Sequence, residues 1–250
     1  MSPGKQRRFN RLFAPDGKTV IAALDHGIAG MSPLAGLQDA GRLIPVIVQA
    51  GADALIVTPG IARGFADKFG HAGLILRVDC GPTALTGEWA GTKPVVTVDE
   101  ALSLGADAVI AMGIVGAPGE TPSLHALTAL AAACDRWGMV LVAEMLPGGF
   151  TASDVSAEQI AVAARVGAEL GADVIKIRYS GSVESFRSVV SVCYLPIVML
   201  GGSKQSLQQL RTSTSDAMSA GAKGVAVGRN IWQADDPGHV VKMLREAVHG

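Results

Sequence analysis

Lys176 stands in the middle of the apolar run Val174-Ile-Lys-Ile-Arg178, directly between Ile175 and Ile177. The run reads as a short buried strand, and a parallel strand covered on both faces is apolar throughout. An ammonium buried there costs several kcal/mol unless it is paired or neutralised. Removal from water favours the neutral amine, and a neutral amine attacks carbonyl carbon. The other reading is a lysine near a strand end, its stem buried and its head in water. Further residues can complete such chemistry. Asp25 and His26 follow Thr19-Val-Ile-Ala-Ala-Leu24, and Glu144 follows Met139-Val-Leu-Val-Ala143. Two glycine-rich stretches, Gly201-Gly202-Ser203-Lys204 and Gly228-Arg229-Asn230, follow apolar runs of their own.

A repeated junction shows which elements must bring these residues together. Gly51-Ala-Asp-Ala-Leu-Ile-Val, Gly105-Ala-Asp-Ala-Val-Ile-Ala, Gly171-Ala-Asp-Val-Ile-Lys-Ile and Gly221-Ala-Lys-Gly-Val-Ala-Val share one pattern. Each follows a helical segment and opens an apolar strand, with glycine at the left-handed position that closes a helix. The intervals of 54, 66 and 50 residues are too long for one strand–helix unit and suit two. The intermediate strands are Thr19–Leu24, Leu74–Val78, Met139–Ala143 and Pro196–Leu200. Helical segments over 38–50, 59–69, 98–104, 123–137, 156–170, 182–193, 204–220 and 237–248 follow the eight strands. Thr97-x-x-Glu100 and Ser156-x-x-Gln159 match the capping-box pattern at two helix starts. Strict alternation implies a parallel sheet, and eight repeats imply closure. The fold class expected is therefore α/β, a single (β/α)8 TIM barrel over residues 1–250, with 1–18 a short N-terminal extension. An open doubly wound sheet would carry a glycine fingerprint after its first strand, and Asp25-His-Gly-Ile-Ala-Gly30 has the wrong order for it. The connection from Cys80 to Val96 is long enough to suggest a functional loop.

The active site of such a barrel lies at the C-terminal ends of its strands. That rule gathers Asp25, His26, Arg77, Asp79, Glu144, Lys176, Arg178 and both glycine stretches. Gly201, Gly202 and Ser203 can turn backbone N–H groups toward an anion, and Gly228 and Arg229 lead into a short helix aimed the same way. A phosphate site is the reading favoured; the plain one has glycines ending strands and Arg229 paired on the surface. Asp25 either holds and serves Lys176 or caps the loop after it. His26 either titrates or bonds the loop backbone. Arg178 is a candidate for contact with substrate or phosphate. Glu144 faces inward if its strand extends that far. There it supplies an acid/base group, binds a substrate group, or pairs with Arg178 or Arg77.

Composition excludes other classes. Apolar residues make up 49% and charged residues 17%, enough for a large core. A net charge of −1 argues against a nucleic-acid surface or a polybasic membrane patch. No run reaches the roughly 18 apolar residues of a membrane span. Lys5, Arg7, Arg8 and Arg11 precede Phe13-Ala-Pro-Asp-Gly17 and no apolar signal core. Cys80, Cys134 and Cys193 are odd in number and lack metal-ligand spacing, which fits a reducing cytoplasm. Of the five histidines only His26 falls near the expected mouth, so no metal is expected.

Ala23-Leu-Asp-His-Gly27, Asp173-Val-Ile-Lys-Ile-Arg-Tyr-Ser-Gly181, Gly201-Gly-Ser-Lys204 and Gly224-Val-Ala-Val-Gly-Arg-Asn-Ile-Trp-Gln233, in that order, resemble the archaeal-type class I fructose-bisphosphate aldolase family. That group also holds synthases of amino-dideoxy-heptulosonate and a thiolase acting on phosphorylated autoinducer-2. The resemblance runs from about Arg11 to Val248. It implies a Schiff-base lysine at Lys176, an acid/base aspartate at Asp25, and a phosphorylated substrate held by the two glycine loops. It also implies no cofactor beyond the covalent Schiff base, and a homo-oligomer. One departure stands out. Aldolase members carry Tyr-Pro-Arg-Gly after strand five, the tyrosine donating a proton; here the residues are Leu146-Pro147-Gly148-Gly149. Ordinary fructose-bisphosphate cleavage thereby loses its proton donor, and Glu144 is the candidate substitute. The expected function is that of a class I aldolase or transaldolase acting on a small phosphorylated ketone or ketose such as dihydroxyacetone phosphate. The alternatives are thiolase-like acyl transfer on a phosphorylated dione and a catalytically silent phosphosugar-binding protein.

Overall fold

The repeated junction does more than end a helix. In the computed structural model, which describes residues 1–28, 34–83, 85 and 91–250, all four junction glycines take positive φ. The aspartate two positions on then reaches sideways. Asp53 accepts from the Val20 N–H at 2.7 Å, Asp107 from Leu74 at 3.1 Å and Asp173 from Leu141 at 2.8 Å. Each of those amides lies at the start of the neighbouring strand, so the carboxylate ties adjacent strand starts together at the base of the sheet.

Eight parallel strands result: Thr19–Ala23, Ala54–Val57, Gly73–Arg77, Ala108–Val115, Val140–Pro147, Val174–Arg178, Ile197–Leu200 and Gly224–Val227. The first pairs with both the second and the eighth, which closes the barrel. Helices follow in the expected places, and the capping boxes at Thr97–Glu100 and Ser156–Gln159 are both formed. Strands four and five are longer than their apolar runs suggest, each eight residues. They pair along their whole length, from Ala108↔Val140 to Val115↔Pro147, which carries Glu144 and Leu146 within strand five. A two-residue ladder of Asp79–Cys80 against Lys93–Pro94 occupies part of the long Cys80–Val96 connection. Residues 84 and 86–90 of that connection, and Gly30 after the first strand, lie outside the described residues.

Alternation along each strand sorts the core into two parts. Ile21, Ile56, Ile75, Ile110, Val142, Val174 and Val198 fill the barrel interior, while Leu55, Leu76, Leu141, Ile175 and Ile177 pack outward against the helices. The interior packing includes Leu12 and Phe13 from the N-terminal segment.

The short N-terminal extension over 1–18 is itself structured. Pro3–Leu12 is a helix, capped by Ser2. Its Lys5 is buried and pairs with Asp135 and Asp173, and its Arg11 pairs with Asp107. Burial opposes the charge on Lys5, but the two carboxylates outweigh it and raise its pKa. Two of the junction aspartates are thus the docking points of a helix that closes the barrel base. Among the described residues no helix is long and apolar enough to cross a membrane.

Candidate active site

Strand register explains how a lysine is tolerated in the barrel. Lys176 on strand six and Glu144 on strand five are register partners, so both side chains project inward side by side. Lys176 Nζ donates to Glu144 Oε1 at 2.6 Å. Among the eight barrel strands, Lys176 is the lysine, and it is buried.

Glu144 has a second cation. Arg77, two strands away and 1% exposed, donates from Nη2 to Glu144 Oε2. Its Nε donates to Asp25 Oδ2 at 2.8 Å and its Nη1 to Asp79 Oδ1 at 3.1 Å. Asp79 Oδ2 in turn accepts from the Met112 N–H at 2.9 Å, fixing the whole fork to strand four. A single guanidinium therefore lies between three buried carboxylates.

These neighbours favour the charged forms. Burial pushes the Glu144 carboxyl up, but Lys176 and Arg77 more than offset it and hold its pKa below the ordinary value. Of the partners expected for Glu144, Arg77 is the one found, and Lys176 joins it. Burial also pushes Asp25 up, yet Arg77, Lys176 and His26 bring it down to about 2. Asp25 hydrogen-bonds Arg77 and not Lys176. The amine's partner is Glu144.

His26 projects across the first-strand end. Its Nδ1 lies 3.7 Å from Asp25 Oδ1 without a hydrogen bond, and its ring meets Trp232 edge-on at 5.1 Å. Burial lowers its pKa, with Asp25 only partly opposing. The ring also explains Gly228: a Cβ there would come within 2.2 Å of His26 Cε1 and 2.9 Å of the Ala23 carbonyl oxygen. Only glycine lets the eighth-strand loop pass so near.

The two glycine stretches are stapled together by Asn230. Its amide donates to the carbonyls of Gly201 and Ser203 at 3.1 and 3.0 Å and accepts from the Gln205 N–H at 2.9 Å. Lys204 adds a contact to the Gln233 carbonyl at 2.9 Å. Gly201 itself is corrected as an anion donor, because its N–H is spent on the Ala226 carbonyl. Gly202 and Ser203 lie on the exposed rim of the same loop. Arg229 Nε is shielded from solvent and makes no hydrogen bond among the described residues, and burial lowers the pKa of that guanidinium. Arg178 is differently engaged. It donates to the Ala152 carbonyl at 2.8 Å and also meets the Ser153 carbonyl, holding the loop after strand five.

Apart from Asp79 and Asn230, which sit behind them, the charged groups and the glycine stretches line one cleft of about 860 Å³ at the C-terminal mouth of the barrel. Leu146 and Met112 give it an apolar wall. Tyr179 also borders it, but its hydroxyl donates to Asp216 at 3.4 Å. The protein's other tyrosine, Tyr194, donates to the Ala168 carbonyl at 2.8 Å. Neither tyrosine hydroxyl is free to serve the lysine. Among the described residues no three His, Cys, Asp or Glu side chains converge as a metal-ligand set.

Known proteins resemble this chain over nearly its whole length. Residues 19–234 match the model of the DeoC/LacD family aldolases. The chain belongs to that family. It is a Schiff-base-forming, class I type of aldolase. This aldolase is 38% identical to 2-amino-3,7-dideoxy-D-threo-hept-6-ulosonate synthase 1 of Archaeoglobus fulgidus, an alignment covering 99% of this chain and 92% of that one. It is 33% identical to the class 1 fructose-bisphosphate aldolase of Thermoproteus tenax, over 97% and 94% of the two chains. Among solved structures it superimposes with a TM-score of 0.88 on an archaeal fructose-1,6-bisphosphate aldolase whose catalytic lysine carries the carbinolamine intermediate. That match covers 98% of this chain and 100% of the other, at 32% identity.

Two sets of connections lie beyond what the sequence showed. Arg77 and Asp79 stood out as charges at alternate positions ending an apolar strand, but nothing local showed that one would knit three carboxylates. Asn230 lies inside the Gly-Arg-Asn stretch, and its polar side chain between glycine and isoleucine was the available signal.

Proposed function

We propose that this aldolase makes or breaks a carbon–carbon bond next to the carbonyl of a small phosphorylated ketone or ketose, with Lys176 as the Schiff-base residue. The observation that carries this reading is the 2.6 Å contact between Lys176 Nζ and Glu144. An ammonium cannot attack a carbonyl until it gives up a proton, and Glu144 is the acceptor in place. The neutral amine adds to the carbonyl carbon to give a carbinolamine. Glu144 then returns the proton to the departing hydroxyl, water leaves, and an iminium cation remains. The proton balance is complete, and Glu144 is again an anion beside a cation.

The iminium draws electrons from the adjacent carbon–carbon bond as it breaks. Glu144 takes the proton from the substrate hydroxyl in that step, and it delivers one in the direction of synthesis. Asp25, held as an anion by Arg77, offsets the positive charge of the iminium. The alternative assignment of proton transfer to Asp25 is disfavoured because Asp25 hydrogen-bonds Arg77, whereas Glu144 hydrogen-bonds the amine itself.

Phosphate is held by the N–H groups of Gly202, Ser203 and Gly228, by the Arg229 guanidinium, and by His26 where the two loops meet. The unpartnered Arg229 Nε supports this. Arg178 acts indirectly, through the loop it anchors. Residues 1–250 work as one domain, with the N-terminal helix as its base. Free Cys80, Cys134 and Cys193 fit a reducing cytoplasm. The exposed Val162, Val192 and Tyr194 offer a surface for the expected homo-oligomer.

Incubation with dihydroxyacetone phosphate and borohydride tests the assignment. The reduced adduct should add its mass to the peptide carrying Lys176; a label on any other lysine would refute it. The phosphate site has its own test. Arg229→Ala removes a charge-assisted contact worth roughly 1.5–3 kcal/mol, so KM should rise about tenfold or more. Equal performance of a dephosphorylated substrate with the unaltered enzyme would show that the loops hold something else.

A further inference from the structure

Arg77 lies at the floor of the cleft, 1% exposed, and it is the residue on which the polar layer depends. It is buried and uses three separate nitrogens on three carboxylates, one just after strand one, one just after strand three and one within strand five. A planar guanidinium offers donors in a rigid fork, so the positions of Asp25 and Glu144 are set relative to one another by one rigid group. Asp79 anchors that group, and the Met112 N–H anchors Asp79. The chain of contacts runs from backbone to Asp79, to Arg77, to Glu144 and finally to Lys176 Nζ.

We propose that Arg77 is the positioning residue of this aldolase: anchored by Asp79, it holds Asp25 and Glu144 around Lys176 and sets the pH range in which they work. The proposal rests on the reading of Lys176 as the nucleophile and Glu144 as its proton acceptor. The charged groups around the pair are few. Lys176 faces Glu144 from strand six, Asp25 and His26 come from the turn after strand one, Asp79 from the short ladder after strand three, and Arg229 lies beyond His26. Of these, the cations next to Glu144 are Lys176 and Arg77. Lys176 is uncharged as the attacking amine and as the carbinolamine, and cationic again only as the iminium. Arg77 stays cationic throughout.

The sign follows directly. Glu144 must be deprotonated to accept a proton, so activity falls as pH drops through its pKa. Arg77 holds that pKa down. Its removal lets burial dominate, the pKa rises, and the acidic limb of the rate profile moves to higher pH.

The test is the pH dependence of borohydride trapping with dihydroxyacetone phosphate, in the full-length protein. Arg77→Met should move the acidic limb up by one pH unit or more, about a tenfold change in the acid needed. Arg77→Lys keeps a charge but cannot fork between three carboxylates, so its limb stays near that of the unaltered protein while trapping slows about tenfold. An unmoved limb in a folded Arg77→Met overturns the proposal. If circular dichroism shows that Arg77→Met does not fold, trapping at full rate in Arg77→Lys overturns it instead. Failure of the unaltered protein to trap at Lys176 is a different result, and it removes the Schiff-base assignment beneath the proposal.

Discussion

Lys176→Met is expected to abolish borohydride trapping and to lower turnover by about 10⁵–10⁶-fold, the scale of loss when a covalent catalyst loses its nucleophile. Methionine is close to lysine in volume and carries no amine. Glu144 remains paired with Arg77 after the change, so no carboxylate is left buried without a cation. The variant should therefore fold, and a near-native thermal transition with no trapped adduct is the combined result to look for. Lys204, the other lysine bordering the cleft, is exposed and donates to the Gln233 carbonyl, so it has no carboxylate to receive its proton. Adduct formation that survives in Lys176→Met would mean that the reaction runs through a different amine.

Glu144→Gln should reduce turnover by about 10²–10⁴-fold, the usual contribution of a positioned proton-transfer group. Glutamine preserves the shape and still offers an oxygen to Lys176 or Arg77, so the fold survives. What it loses is the ability to take a proton. Because Glu144 touches the amine itself, the rate of adduct formation should fall together with turnover. Measured by single-turnover trapping, normal adduct formation with lost cleavage would confine Glu144 to the later step. Unchanged turnover would return both proton transfers to Asp25, despite its tie to Arg77.

The barrel was legible in the sequence because its punctuation is local. A glycine that closes a helix, an alanine, and an aspartate that opens a strand occupy three adjacent positions, and the pattern recurs at Gly51, Gly105 and Gly171. Lys176 was legible for the same reason, as a charge inside a strand of five. The N-terminal helix was not. Its polar face reads as a solvated extension until Asp135 and Asp173, more than a hundred residues away, are placed beneath Lys5. Nor was the pairing of Glu144 with Lys176 fixed in advance. It depends on the register between strands five and six, where a shift of one residue would turn either side chain out of the barrel. The loss of Gly201 as an anion donor has a similar origin, since the ladder bond to Ala226 appears only once strands seven and eight are paired.

The plugged base has a consequence for traffic. Below Lys176 the interior is filled by Val142, Val174, Val198 and the isoleucines of the first four strands, with Leu12 and Phe13 packed into the same cluster. The reaction chamber is a blind alley. The water expelled when the iminium forms must leave by the same opening through which the substrate entered, past the substrate still occupying it. Returning water meets the same obstruction, so the bound substrate is its own stopper against hydrolysis. An intermediate in such a chamber lasts as long as the substrate body stays in the doorway, and a short ketone should lose its imine to water sooner than a long one.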